Sequence, residues 1–189
     1  MKKLLITLTV MLLLVFALFV MNACGNTAET TATTTETTTE APVTDAPIPT
    51  GYTKYDNGDI TFAYPKDWTK QSGSTTVLAG TNGNNITIAY EEKNPYYASM
   101  TLSDFNNELK PALESMGLTI SNAAVSQTKN AADLAITKIS YKATVAGVSM
   151  KQTLYITTVG NKTYTVTVTE VQTDETLLKT VFNTLNAAE

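Results

Sequence analysis

The first fifty residues leave only the rest of the chain available to build a core. Met1-Lys2-Lys3 is followed by an apolar run from Leu4 to Met21 broken only by Thr7 and Thr9. Residues 26–50 are then almost entirely Thr, Glu, Ala and Pro, with no aromatic side chain and no apolar period. Such a tract cannot bury enough apolar surface to offset its ordering entropy. The globular part is therefore expected over residues 51–189. A domain of that size buries roughly two thirds of its unfolded surface and needs no disulfide or metal to hold together.

The first segment reads as an export signal: a positive start, an apolar stretch, then small residues. Its end, Asn22-Ala23-Cys24-Gly25, resembles a bacterial lipoprotein signal peptide. That resemblance implies that residues 1–23 are removed and that Cys24 becomes the first residue, carrying diacylglycerol. An uncleaved membrane helix is the other reading of the same run, which is close to the minimum length for a span. Either way Lys2 and Lys3 stay inside and the remainder lies outside. Two acyl chains on Cys24 make a firm tether where one alone is reversible. Residues 24–50 are then the lipidated Cys and a disordered spacer with a reach of roughly 25–30 Å. Pro42, Pro47 and Pro49 bias its end toward extended geometry.

Several chemistries are disfavoured by composition. The chain has 13 basic residues, all Lys, against 17 acidic ones, for a net charge of −4. Loss of Lys2 and Lys3 with the leader leaves 11 against 17. An acidic chain without Arg lacks the footprint expected of a nucleic-acid or anionic-membrane binder. It has no His, so the usual triad base and the commonest metal ligand are missing. Cys24 is the single Cys, so no internal disulfide forms.

The domain alternates between strand and helix signals. Asp56-Asn57-Gly58-Asp59 predicts a tight turn, and Ile60–Tyr64 a strand stopped by Pro65. Thr75–Ala79 and Ile86–Glu91 predict two more strands around a Gly/Asn turn at 80–85. Thr101–Met116 predicts an amphipathic helix, with Leu102, Phe105, Leu109, Leu113 and Met116 on one face. Thr101 and Asp104 suit its cap, Pro111 should bend it, and Gly117 should end it. After a loop, Leu134–Val145 and Val148–Val159 read as long strands joined at Ala146-Gly147. In Thr163–Glu170, Tyr164, Val166 and Val168 point one way, and Thr163, Thr165, Thr167 and Thr169 the other, where they face solvent, the favoured reading, or carry ligands. A last helix opens at Thr173-Asp174-Glu175 and buries Leu177, Leu178, Val181, Phe182 and Leu185. The order is β-β-β-α-β-β-β-α: an α+β fold with a mainly antiparallel six-stranded sheet flanked by helices.

Ile60-Thr61-Phe62-Ala63-Tyr64-Pro65-Lys66-Asp67-Trp68 resembles the strand and turn of the PsbP-like fold. The Val159–Tyr164 hairpin and the last helix with Phe182 are similar to that family too. The resemblance implies an α/β/α sandwich and a binding or assembly role, and it transfers no site residue.

The candidate sites divide by chemistry. Trp68, with Tyr64 and Pro65, offers an aromatic platform or a structural corner. Tyr90, Tyr96 and Tyr97, around Pro95, form the expected partner-binding patch, since Tyr is enriched at recognition surfaces. Asp56, Asn57 and Asp59 present oxygens, but without the Gly and distal Glu of a calcium loop; an Asn-Gly turn accounts for them, and no metal or other cofactor is expected. Glu91 and Glu92 point to opposite faces of a strand and cannot act as an acid/base pair. Asp104 and Glu108 read as a solvated helix face. Ser126-Gln127-Thr128-Lys129 matches a Ser-x-x-Lys spacing without its supporting motifs. The expectation is a membrane-tethered, non-catalytic module for an envelope protein or surface polymer. Two alternatives stand beside it: a cell-wall glycan hydrolase working with two carboxylates, and a purely structural subunit of an envelope complex.

Overall fold

The computed structural model describes residues 47–73 and 75–188. The export signal, Cys24 and most of the Thr-rich spacer lie outside the described residues. No helix among the described residues is long and apolar enough to cross a membrane.

The fold is α+β, built on antiparallel sheets with few helices. The described residues form ten strands: β1 (Tyr52–Asp56), β2 (Ile60–Pro65), β3 (Thr69–Gln71), β4 (Thr76–Ala79), β5 (Asn85–Glu92), β6 (Thr119–Lys129), β7 (Ala135–Val145), β8 (Val148–Val159), β9 (Lys162–Glu170) and β10 (Asn186–Ala187). The expected single six-stranded sheet is replaced by two sheets. One has seven strands in the order β3-β4-β5-β9-β8-β7-β6, the other three in the order β1-β2-β10.

The largest departure is β6, a segment read from sequence as a loop. Its half-buried and buried apolar residues are Ile120, Ala123 and Val125, a spacing of three and then two. The break comes from a bulge between Ser121 and Ala124, where Asn122 takes a φ of 54°. One extra residue in the strand shifts the alternation and hides the period of two. β1, β3 and β10 are too short or too exposed to show a pattern of their own.

The long helix, α1, has three parts: α-helical Leu102–Asp104, a π turn over Phe105–Leu109, and α-helical Lys110–Ser115. Thr101 and Asp104 form the expected capping box, and Gly117 takes a φ of 87° beyond the end. Pro111 has no N–H to continue the α ladder. The chain meets this with the wide turn just before it, in which Lys110 N donates to Phe105 O. Phe105, Leu109 and Leu113 are buried, Met116 half-buried, and Leu102 exposed. The last helix, α2 (Glu175–Thr184), is capped by Asp174, whose side chain accepts from Leu177 N at 2.9 Å.

The large sheet is covered on both faces. Tyr97, Met100 and α1 pack on one side against Ile139, Tyr141, Leu154 and Ile156. On the other, α2 and the small sheet pack against Ile86, Ile88, Tyr155, Val166 and Val168. Truncating a fully buried member such as Leu177 to Ala costs about 2–5 kcal/mol. This arrangement overturns the solvent-facing Thr row. β9 is the central strand, and Thr163, Thr167 and Thr169 are buried on the α1 side of the sheet. Two of their hydroxyls have named partners: Asn94 N donates to Thr163 Oγ1 at 2.9 Å, and Gln152 Nε2 to Thr169 Oγ1 at 3.2 Å. A buried hydroxyl is tolerated when it is bonded.

Candidate functional site

The four aromatic candidates do not form one patch. Tyr90 is on β5, pairs in register with Tyr164 and is 56% exposed. Its ring lies 5.5 Å from that of Tyr164, and Lys162 Nζ sits 5.0 Å from its centroid. Tyr96 and Tyr97 belong to a 3-10 turn, Pro95–Ser99, on the opposite side of the sheet, where their rings meet edge-on at 5.9 Å. Tyr97 is buried, and its carbonyl lies 2.6 Å from Thr137 Oγ1. Tyr96 is half-buried; burial first, then Glu108, pushes its phenol up to about 12. Trp68 is half-buried against the core and covers Gly80, where an added Cβ would stand 2.7 Å from its Nε1. Of the four, Tyr90 alone is an exposed residue.

The oxygens of the first turn are already engaged. Asp56 Oδ1 accepts from Gly58 N at 2.8 Å, and Asn57 Oδ1 from Asp59 N and Ile60 N. Asp59 Oδ2 accepts from Lys162 Nζ at 2.7 Å and from the Tyr164 hydroxyl. These donors hold the Asp59 carboxyl below its ordinary range, Lys162 contributing most. A cation there would have to displace an ammonium. Among the described residues, no three His, Cys, Asp or Glu side chains converge on one point.

The concave feature that brings charged groups together lies elsewhere, where β6, β7 and β8 run past the start of α2. It encloses about 430 Å³, and Lys142, Lys151 and Glu170 are among its lining residues. Sheet register assembles it. Lys142 on β7 lies opposite Lys151 on β8, and Lys151 lies opposite Glu170 at the end of β9. The β6 bulge supplies Asn122 at the rim, and Ser140, Ser149 and Thr173 add polar groups.

Glu170 is 2% exposed. Its Oε1 accepts from Asp174 N at 2.7 Å, which fixes the carboxylate against the approach to α2. No described protein group donates a hydrogen bond to its Oε2; Lys151 Nζ stands 3.6 Å away, outside hydrogen-bond range. Lys151 Nζ is also 3.6 Å from Glu175 Oε1. The connection from β9 to α2 is pinned by Asn84, fully buried, whose Oδ1 accepts from Val171 N at 2.9 Å and Gln172 N at 3.0 Å. Asn84 Nδ2 returns a bond to Gln172 O at 2.8 Å. The cleft wall therefore carries Lys142, Lys151 and the buried carboxylate of Glu170, with hydroxyls and an amide among its other lining residues.

Sequence reasoning passed over Lys142, Lys151 and Glu170 because they sit far apart on three strands. One signal was present: residues 134–169 contain four Lys and no Asp or Glu, in a chain where acids outnumber bases.

No family model matches the chain, and no curated protein matches it. Among solved structures, a protein of Bacteroides thetaiotaomicron VPI-5482 is similar at 18% identity with a TM-score of 0.39. That match covers 69% of this chain and 45% of the other, so the chain spans under half the length of that protein. PA94 of Pseudomonas aeruginosa, a protein of unknown function, is similar at 13% identity and a TM-score of 0.35, over 63% of this chain and 82% of that one.

Proposed function

We propose that this chain is a lipid-anchored protein of a bacterial envelope that holds a non-catalytic binding module outside the membrane. Cys24 carries the anchor, residues 26–50 supply reach, and the PsbP-like domain from residue 51 onward does the binding. The observation that carries the binding role is the 430 Å³ cleft with Lys142, Lys151 and Glu170 in its wall. That volume falls in the usual range for a small-ligand site, and its few polar groups converge. The partner class that fits the location is a polymer of the envelope surface.

The test is co-sedimentation of the purified chain with isolated envelope fragments. Binding that falls in Lys142→Gln supports the reading; equal sedimentation of wild type and variant, or none by either, rejects it.

One arrangement favours a second reading, hydrolysis of a glycan by paired carboxylates. Glu170 and Glu175 both approach Lys151, each at 3.6 Å, so two carboxyl groups lie close together. The shared ammonium weighs against it, because it stands within ion-pair range of both where a scissile bond would need room. Release of reducing ends from envelope glycan by wild type and its loss in Glu170→Gln would establish this second reading in place of the first.

A further inference from the structure

We infer that the β1–β2 turn is a site of self-modification, at which Asn57 loses its side-chain amide to attack by the backbone nitrogen of Gly58. The inference is independent of the cleft and of any binding partner.

Asn57 and Gly58 are both exposed, and they join two paired strands. Asn57 N donates to Ile60 O at 3.4 Å, and Gly58 takes a φ of 84°, the hairpin geometry that places glycine first in the turn. Glycine has no Cβ to shield its nitrogen from the side chain before it. In an Asn-Gly pair the backbone nitrogen therefore reaches the side-chain amide carbon with least hindrance. That much belongs to the dipeptide.

Three hydrogen bonds belong to this fold. Gly58 N donates to Asp56 Oδ1 at 2.8 Å. An amide nitrogen attacks as its proton leaves, and a carboxylate at hydrogen-bond distance is placed to take that proton. Asn57 Oδ1 accepts from Asp59 N at 3.1 Å and from Ile60 N at 2.9 Å. Attack at Cγ turns this oxygen into an oxyanion, and fixed backbone donors stabilise such developing charge. The same two bonds hold the side chain folded forward along the turn, so the ordering needed for attack is already in place.

The chemistry closes with water as the one co-reactant. The Gly58 nitrogen bonds to Asn57 Cγ while its proton passes to Asp56. The Cγ–Nδ2 bond then breaks, Nδ2 takes the proton from Asp56, and ammonia leaves a five-membered succinimide. Water adds to either carbonyl of that ring and one C–N bond opens. Opening at Cγ leaves aspartate at position 57; opening at the backbone carbonyl leaves isoaspartate. Isoaspartate adds one carbon to the backbone of the turn that carries Asp59. It therefore loosens the contact from Lys162 Nζ to Asp59 Oδ2, 2.7 Å in the unmodified chain.

The chain holds its own control. Asn82-Gly83 is a second Asn-Gly pair, with Asn82 exposed and Gly83 at a φ of 85°. Asn82 Oδ1 accepts from Asn84 N at 3.0 Å, and no acidic residue lies within three positions of Asn82 on either side. The dipeptide is the same, and the neighbouring carboxylate is missing.

The experiment is incubation of the full chain at neutral pH, folded and in concentrated urea. Peptide mapping by mass spectrometry follows the two Asn-Gly sites, with isoaspartate located by fragmentation. In the folded chain Asn57 should convert about tenfold faster than Asn82, less than a positioned base gives in a closed site because the turn is solvated. In urea the two rates should converge, with Asn57 slower than in the folded chain. Asp56→Asn keeps an acceptor for Gly58 N and removes the base. It should slow conversion of folded Asn57 about tenfold. Equal rates at Asn57 and Asn82 in the folded chain overturn the inference, since the dipeptide alone would then explain them. Faster conversion of Asn57 in urea than in the fold also overturns it, because the turn would then be protective. An unchanged rate in Asp56→Asn overturns it as well. The wild-type comparison between folded and unfolded chain stands whether or not that variant folds.

Discussion

Lys162, on β9 of the large sheet, donates to the carboxylate of Asp59, in the β1–β2 turn of the small one, at 2.7 Å. The two residues are 103 positions apart, and the Tyr164 hydroxyl joins the same oxygen. This contact clamps the edge of the small sheet to the large one. Lys162 and Tyr164 hold the Asp59 carboxyl below its ordinary value, so the folded pKa lies below the unfolded one. The stabilisation is complete above that unfolded value and is lost as pH falls through the folded one. Asp59→Asn should be less stable than wild type near pH 6, with the difference closing toward about pH 2. Urea unfolding across that range measures it; a constant difference at all pH values would mean that the charge on Asp59 is irrelevant.

A buried polar chain crosses the α1 side of the sheet. The Tyr141 hydroxyl donates to Gln152 Oε1 at 2.6 Å, and Gln152 Nε2 donates to Thr169 Oγ1. Tyr141→Phe strands a buried acceptor and should cost about 1–3 kcal/mol. Tyr141→Phe with Gln152→Leu should cost less than the sum of the two single changes, because the unpaired oxygen is then absent. A double-mutant cycle in denaturant gives the coupling directly.

Trp68 and Gly80 form another tight pair. An added Cβ at Gly80 would lie 2.7 Å from Trp68 Nε1 and 2.8 Å from Cε2. Gly80→Ala should push the indole outward, red-shift its emission and cost about 1–3 kcal/mol. Trp68 is the sole Trp, so fluorescence reports this site alone. An unchanged spectrum with unchanged stability would show that the indole adjusts freely.

Asn130 ties the β6–β7 loop to the end of α2. Its Nδ2 donates to Phe182 O at 3.0 Å and to Leu185 O, while its Oδ1 accepts from Ala132 N and Leu134 N. Asn130→Asp replaces the donating group with a charged acceptor facing two carbonyls. It should cost about 3 kcal/mol at neutral pH. The protonated acid donates again, so the introduced carboxyl titrates high in the folded state. The deficit should shrink as pH falls toward the unfolded value for Asp.

The helices were legible in the sequence because their stripes and caps are local. Phe105, Leu109 and Leu113 mark α1, Leu177 and Val181 mark α2, and Thr101, Asp104 and Gly117 mark boundaries. Strands β7, β8 and β9 were legible from length and alternation. β6 was not, because a single bulge at Asn122 breaks the period on which the reading depends. The Thr row of β9 was misplaced because alternation alone does not show that the 3-10 turn and α1 cover that face of the sheet. The candidate site was less legible still. Lys142, Lys151 and Glu170 meet only through strand register, a long-range property, whereas the Tyr residues stood out by adjacency. Adjacency in sequence put Tyr90 and Tyr97 together; the sheet puts them on opposite faces.

The proposed lipid on Cys24 would hold the domain outside the cell. Protease treatment of intact cells making the chain tests this most directly, with a cytoplasmic protein as the control for lysis. The domain should be lost from wild-type cells while the control survives, and Cys24→Ser should yield chain no longer held by a lipid anchor. Protection of the wild-type domain until the cells are broken open would contradict it.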